Sequence, residues 1–419
     1  MKRVLVVRWG EQTVGQLTQD EHGDLAFVYA TAWLADPDAP PLSASLPKRT
    51  KAFRKRECRP FFAGLLPEQT QREVVARALG VSAANDFALL DRLGGEVAGA
   101  IELHPAGIES AVSPSRHTPT PLDEGALIAL LDDLPRRPLL AGEKGLRLSL
   151  AGAQAKVPVV LVDGMVALPA PGQPTTHILK PPIGWLPGTT ENEAFVMRLA
   201  EAVGLDVARA EPRVVRGRTF LLIERYDRVV FADGRVRRIH QEDFCQALGV
   251  APEKKYAAEG GPTFADCFSL LRTTSAVPGP DLLGLLDAAI FNVIVGNADA
   301  QGKNFSILHR NTGPRLAPLY DLLCTAFYPE LAATFAMKIW RRSSLGELDA
   351  KGWKRFADDA GIGWPLVRQR VGEIATRIDA KIATVAAAFA ALDFDRVVVE
   401  RLATFIGGRV APCATSVTR

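Results

Sequence analysis

Cysteine is sparse and never paired along the chain. The five, Cys58, Cys245, Cys267, Cys324 and Cys413, lie far apart and make no CxxC. The six histidines are scattered, with no HExxH. This argues against a zinc or iron–sulfur site and for reduced thiols in the cytosol. An excess of either charge is also missing. Fifty Lys and Arg stand against 47 Asp and Glu, a formal +3, so net charge neither demands nor forbids a nucleic-acid partner. Long apolar runs are lacking too. The start, Met-Lys-Arg-Val-Leu-Val-Val-Arg, is too short in apolar residues for a signal peptide. Residues 282–295 are interrupted by Asp287 and fall short of the roughly 20 that a membrane span needs. There is no internal repeat and no low-complexity tract. The expectation is a cytoplasmic protein.

What the chain does have is enough length and apolar content for more than one core. Its 419 residues are 47% hydrophobic and 23% charged, which suits a globular protein of two or three domains. We expect an N-terminal subdomain over 1–105, a Pro/Ser/Thr/Gly-rich linker over 106–122, a first catalytic part over 123–250, a helical part over 251–410 and a frayed tail over 411–419. Strands are expected at 4–7 and 25–28, with His22-Gly-Asp24 as the turn between them. Residues 46–60 carry Lys48, Arg49, Lys51, Arg54, Lys55, Arg56 and Arg59. They suit a solvated loop, or a surface for nucleic acid or an acidic partner segment.

After the linker the pattern is ordered. A helix is expected over 123–134 and a short strand at 146–148. Residues 149–156 form a loop, and strands at 157–162 and 165–168 flank an Asp163-Gly164 turn. A strand at 176–180 ends in Lys180 and is stopped by two prolines. A helix over 190–203 opens with a Thr190/Glu193 capping box, and strands follow at 210–215 and 219–224. His240-Gln-Glu-Asp-Phe244 reads as a helix start. Loop, hairpin, strand ending in Lys, helix with Glu, then an outgoing strand is the order of a kinase small lobe. Small residues at Ala151, Gly152 and Ala153 let backbone N–H groups approach phosphate, with Gln154, Ala155 and Lys156 alongside. Lys180 suits phosphate binding, or a strand-end lysine reaching for solvent. Glu193 could orient Lys180, or simply cap its helix.

The chemistry concentrates at residues 297–321. Gly279-Pro280 and Asp281 should start a buried helix over 282–295, and Gly296 should stop it. Asp299 then stands on the loop that leaves it. Asn304 follows five residues later, and Asp321 comes after a hairpin-length interval. One carboxylate to take a hydroxyl proton, with an amide and a second carboxylate for magnesium, is what phosphoryl transfer needs. Lys303 could meet charge on the moving phosphoryl group. The same residues also suit a polar turn with Asp321 as a helix cap.

Seven blocks carry a family resemblance: RLSLAGAQAKV (147–157), THILKPP (176–182), ENEAFVMRLAEAVGL (191–205), ERYDR (224–228), QEDFCQALG (241–249), NADAQGKNFS (297–306) and LAPLYDLL (316–323). In this order they resemble the HipA serine/threonine kinase toxins of type II toxin–antitoxin pairs, over about residues 1–410. The resemblance implies an α+β, two-lobed protein-kinase-like fold with an N-terminal α/β subdomain, and ATP and magnesium as cofactors. It implies Asp299 as catalytic base, aided by Lys303, and Asn304 and Asp321 as metal ligands. ATP contacts would come from 151–156, Lys180, Glu224, Arg225 and Tyr226 at the adenine hinge, Gln301 and Tyr320. Ser149 matches the family's autophosphorylated serine. Gln301 departs from the histidine usual two residues after the base. The implied partners are a small helix-turn-helix antitoxin, operator DNA through that antitoxin, and a translation component such as an aminoacyl-tRNA synthetase. A kinase-fold co-repressor with little catalysis and a small-molecule or lipid kinase are the other readings.

Overall fold

The computed structural model describes residues 3–107, 119–143, 146–389, 392 and 394–419. Most of the expected linker therefore lies outside the described residues. The chain forms two compact units, Met1–Pro181 with Val215–Glu253, and Pro182–Val214 with Lys254–Arg419. The α+β class expected from the sequence holds.

In the first unit an antiparallel sheet runs in the order Phe53–Arg54, Leu25–Tyr29, Gln12–Gln19, Arg3–Trp9, Ile101–Pro105. The middle strand, Gln12–Gln19, is a correction. Its Thr, Gln and Gly content hides it, and the strands at Arg3–Trp9 and Leu25–Tyr29 are not joined by the His22 turn. Gly15 is required in it: an added Cβ would lie 2.2 Å from the Val28 carbonyl oxygen. Leu5, Val7, Leu17, Phe27, Phe53, Phe61 and Phe62 fill the core beneath.

The basic run is not a loop throughout. Lys55–Ala63 is a helix that buries Cys58, Phe61 and Phe62. Much of the run's charge is engaged internally. Arg49 pairs with Glu57 at 2.6 Å and lies over the Phe53 ring, and Lys55 pairs with Asp24 at 2.9 Å. Arg59 holds Asp86 at 2.7 Å and also Glu253.

A second sheet in this unit places Met165–Ala167, Val157–Val162, His177–Lys180 and Arg218–Glu224 side by side. The Asp163-Gly164 turn is as expected, both residues taking positive φ. Helix Glu124–Asp133 covers this sheet, with Asp123 capping it through the Ala126 N–H at 2.7 Å. The strand expected at 146–148 reduces to a single bridge between Leu148 and Glu96. His240–Asp243 is a strand rather than a helix start. The helix is the short Phe244–Ala247, capped by Asp243.

An ion network ties the N-terminal segment to the chain that follows strand Arg218–Glu224, including the two-stranded pair Arg228–Val230/Val236–Arg238. Glu96 accepts from Arg225 at 3.0 Å, Arg228 at 2.8 Å and Arg238 at 2.7 Å. Asp227 accepts from Arg225 at 2.9 Å and from the Gly99 N–H at 2.7 Å. All but Arg238 are almost wholly inaccessible to water. Burial would raise the Glu96 carboxyl, but Arg228, Arg225 and Arg238 overcome it and hold it at about 2, below its ordinary 4.5.

Within the second unit, helix Pro278–Val295 packs against Trp364–Phe389 and Arg396–Ser416, and both of these also meet helix Thr189–Ala202. Three expectations change. The core helix starts at Pro278, so Asp281 lies inside its first turn. Asp281 instead accepts from Arg315 at 2.8 Å and from the Leu316 N–H at 2.9 Å, anchoring the hairpin Ser306–Arg310/Gly313–Leu316. Helix Thr189–Ala202 begins after Gly188 in a left-handed conformation, with no Thr190 side-chain cap. Residues 411–416 are the end of helix Arg396–Ser416 rather than frayed. Cys413 and Ser416 are buried there, and Trp353 Nε1 donates to Ser416 Oγ at 2.8 Å. Pro278–Val295 is long and apolar enough to cross a membrane by composition, yet most of it is packed inside the unit.

Glu96→Ala leaves buried guanidiniums without their partner. We expect a loss of about 3–5 kcal/mol in denaturant unfolding of the full chain. Because the folded carboxyl is depressed, this contribution is fully present above about pH 4.5. It is lost as the pH falls through about 2, so the wild-type and variant acid-unfolding curves should converge there.

Candidate catalytic site

The core helix delivers the candidate catalytic loop. Gly296 ends it at φ 78, where any side chain would be strained and a Cβ would crowd Ala326 at 3.0 Å. Arg409, from the last helix, donates to the Ile294 and Val293 carbonyls at 2.9 Å each, meeting the negative helix end with a cation. Asn297 then takes the Asp299 N–H on its Oδ1 at 3.2 Å, while its Nδ2 donates to Asn292 at 3.0 Å. Asp299 is exposed, and Tyr256 Oη donates to its Oδ1 at 3.0 Å.

Gln301 and Asn304 build the next turn, Gly302–Asn304. Gln301 Oε1 accepts the Lys303 N–H at 2.8 Å, and Asn304 Oδ1 accepts the Gln301 N–H at 3.3 Å. Gln301 is therefore a turn brace, a role an uncharged amide fills. Asn304 Nδ2 reaches Asp321 Oδ2 at 3.0 Å. This brings together the two groups expected at opposite ends of the hairpin. Asp321 sits at φ 59, a conformation costly for most residues but tolerated by Asp and Asn. Tyr320 is not open to a ligand through its hydroxyl alone: it donates to the Lys303 carbonyl at 2.6 Å and lies 2.8 Å from Ser306 Oγ.

The chain beyond Asp321 is fixed by groups the sequence reading missed. Asn192 bridges Cys324 twice, accepting its N–H at 2.7 Å and donating to its carbonyl at 3.0 Å. Thr325 Oγ1 accepts the Ala298 N–H at 2.7 Å and donates to the Gly296 carbonyl at 3.2 Å. Residues 324–326 and 296–298 are thus laced together, setting Asp299 and Asp321 on one rigid frame. No local pattern flags Asn192, Tyr256 or Thr325, because their partners lie 132, 43 and 27 residues away.

The candidate phosphate loop belongs to the first unit. Ser149 is fully buried, and its Oγ donates to the Leu65 carbonyl at 2.7 Å. Gly152 has φ 114, and its carbonyl accepts the Glu68 N–H at 3.1 Å. Lys156 Nζ donates to the Ala151 carbonyl at 2.6 Å, and Gln154 Nε2 to the Pro181 carbonyl at 3.1 Å. Ala153 and Ala155 complete the loop. Lys180 is buried at its strand end opposite Leu221, and Glu224, which is exposed, lies opposite His177. Tyr226 donates to Gln241 Oε1. Arg225 is a correction: its guanidinium is buried in the Glu96 and Asp227 network, so it supports the segment rather than facing a nucleotide. Glu193 is buried in the early turns of helix Thr189–Ala202 in the second unit.

Two family descriptions match this chain, the HipA N-terminal domain over residues 5–104 and the HipA-like C-terminal domain over 148–385. The chain belongs to the HipA family. A Sinorhizobium fredii protein named "Putative kinase Y4mE" is 61% identical over 410 residues, 97% of both chains. The serine/threonine-protein kinase toxin HipA of Shewanella oneidensis is 30% identical over 93% of this chain and 91% of its own. Among solved structures, the Shewanella oneidensis HipA, HipB and operator DNA complex matches with a TM-score of 0.87 and 29% identity, covering 99% of this chain and 98% of that one. HipA likeness thus extends over both units.

Asn192→Ala should free the Cys324 amide without disturbing the helix that carries residue 192. We expect faster hydrogen exchange at Cys324 and its neighbours, and a stability loss of about 1–3 kcal/mol from the unpaired buried groups.

Proposed function

We propose that this protein is an ATP- and magnesium-dependent serine/threonine protein kinase acting as the toxin of a toxin–antitoxin pair in the cytoplasm. The observation that carries the reading is the Asn304–Asp321 contact, on the same frame as exposed Asp299. The Asp321 carboxylate and the Asn304 Oδ1, which also accepts the Gln301 N–H, are oxygen groups of the kind that suit magnesium, which takes few protein ligands and shares phosphate oxygens. Bound ATP with its magnesium supplies the γ-phosphoryl group and neutralises charge upon it. Asn304 and Asp321 hold the metal, Lys180 and residues 151–156 bind phosphate, and Glu224 and Tyr226 border the adenine. Asp299 orients the acceptor hydroxyl and takes its proton as that oxygen bonds the γ-phosphorus and the bond from that phosphorus to the β,γ-bridging oxygen breaks, releasing ADP. Lys303 offers positive charge nearby.

The biological setting follows the relatives. The Shewanella structure pairs HipA with HipB and operator DNA. We infer a small helix-turn-helix antitoxin as partner here, with operator DNA bound through that complex. We infer a translation component, such as an aminoacyl-tRNA synthetase, as the phosphorylated target, giving growth arrest and persistence. Autophosphorylation at Ser149 would limit the activity by putting a charge of about −2 where a neutral hydroxyl is buried.

Asp299→Asn and Asp321→Asn should both fold, since Asn tolerates the positive φ at 321 and can still accept from Tyr256 at 299. Each should lower γ-phosphate transfer by about a thousandfold or more. Normal transfer by either variant removes its assigned role. Incubation with ATP and magnesium followed by intact-mass measurement should show one added phosphate on the wild type and none on Ser149→Ala. An unmodified wild type that also transfers phosphate to no protein favours the co-repressor reading.

A further inference from the structure

Beyond Asp321 the second unit makes a short hairpin-like turn whose chemistry the transfer reaction does not use. Its arms are joined by the Phe335 N–H to the Ser343 carbonyl at 2.8 Å, and by the Arg342 N–H to the Ile339 carbonyl at 3.0 Å. Its root is fastened to the catalytic loop, where the Ala336 N–H donates to the carbonyl of Ala298, the residue before Asp299, at 2.8 Å. Its tip is Trp340-Arg341. Trp340 takes φ 52, which for a bulky side chain costs on the order of 1–3 kcal/mol. Buried Met337 and Ile339 and the Arg342–Asp349 ion pair at 2.6 Å hold it there. The Arg341 and Arg342 guanidiniums lie 5.4 and 5.7 Å from the Trp340 ring centre.

The charge is one-sided at the tip of this turn, while at its base Glu347 accepts the Ser343 N–H at 2.9 Å. Residues 331–346 contain Lys338, Arg341 and Arg342 and neither Asp nor Glu. Arg342 is spent on Asp349. Lys338 and Arg341 are exposed, and among the described residues no carboxylate pairs with either. Exposed cations are ordinary on a protein surface. Here, though, two of them flank a half-exposed tryptophan held in a strained turn, and that turn is rooted beside the candidate base.

We propose that the turn at 338–341 recognises an acidic segment of the protein substrate, close in sequence to the acceptor serine or threonine. The inference rests on the kinase reading above and adds a substrate class to it. At about 3.3 Å per extended residue, Ala336 to Trp340 spans at most roughly 13 Å. A substrate chain leaving Asp299 along the turn covers that distance in about three to five residues. Carboxylates there meet Lys338 and Arg341, and an apolar neighbour meets the Trp340 ring. A nucleic acid would call for a longer track of cations with stacking rings, so the peptide is the better fit.

The test uses the full-length protein with labelled ATP and a degenerate peptide library around one fixed serine or threonine. We expect Glu and Asp to be enriched at least threefold at a position three to five residues from the acceptor. The Lys338→Gln/Arg341→Gln variant should lose that enrichment while its calorimetric affinity for ATP stays unchanged. If the double variant fails to fold, Arg341→Gln alone should halve the enrichment or more. No acidic preference in the wild type, or the same preference in the variant, overturns the proposal. So does a wild type that phosphorylates itself but no peptide. Loss of binding to a labelled 12-nucleotide RNA in the variant, with peptide preference intact, overturns it in favour of nucleic acid. A wild type that labels neither peptide nor itself defeats the kinase reading instead, and leaves no phosphopeptide to count.

Discussion

The hydrogen bond from Asn304 to Asp321 is the contact on which the candidate site depends. A carboxamide and a carboxylate 17 residues apart can serve one cation only if the intervening hairpin returns in register. The hairpin is fixed at both ends. Asp281 grips Arg315 and the Leu316 amide from the core helix, and Tyr320 closes onto the Lys303 carbonyl. The positive φ at Asp321 is the local cost of turning its side chain back toward Asn304. Such strain persists only where the surroundings over-determine it. Asn192 and Thr325, pinning the next residues, are those surroundings.

The same logic explains a buried helix that is not purely apolar. Helix Pro278–Val295 buries Asp281, Asp287 and Asn292 among its aliphatic residues. Each has a named partner: Arg315 for Asp281, Arg370 for Asp287 and the Asn297 amide for Asn292. Burying such groups unpaired would be expensive, so the pairs select one arrangement of the neighbouring hairpin, helix and loop. In the first unit the Glu96 network performs the equivalent task. Three cations and two carboxylates, Glu96 and Asp227, fix residues 96–99 against the strand end at 225–228.

Much of this could be read from the chain. The Asp163-Gly164 hairpin, the helix stop at Gly296 and the placement of Asp299, Asn304 and Asp321 around a hairpin follow from local turn chemistry and spacing. What stayed hidden is long-range. Strand Gln12–Gln19 is too polar to announce itself, because only Val14 and Leu17 of its eight residues are apolar core residues and the others are Thr, Gln and Gly. Asp281 looks like a cap by its neighbours and is an ion-pair partner by its tertiary contacts. Arg225 resembles a ligand-facing residue by position, yet Glu96, 129 residues earlier, claims it. Thr190 and Glu193 match a capping box in letters, while Gly188 supplies the actual helix entry.

The burial of Ser149 bears on how the proposed activity would limit itself. Its hydroxyl is tied to the Leu65 carbonyl, and the loop after it is tied by Gly152 to Glu68 and by Gln154 to Pro181. Phosphorylation of that hydroxyl requires the loop to leave first. Breaking three such hydrogen bonds, at about 0.5–1.5 kcal/mol each, puts the open state roughly 2–4 kcal/mol above the closed one. The open fraction is then on the order of a few per cent to a tenth of a per cent. A doubly charged phosphate cannot return to a site that holds a neutral hydroxyl with no accessible surface. If Ser149 is modified as proposed, the closed loop would make that step slow, and the phosphorylated loop would be held out of its closed position.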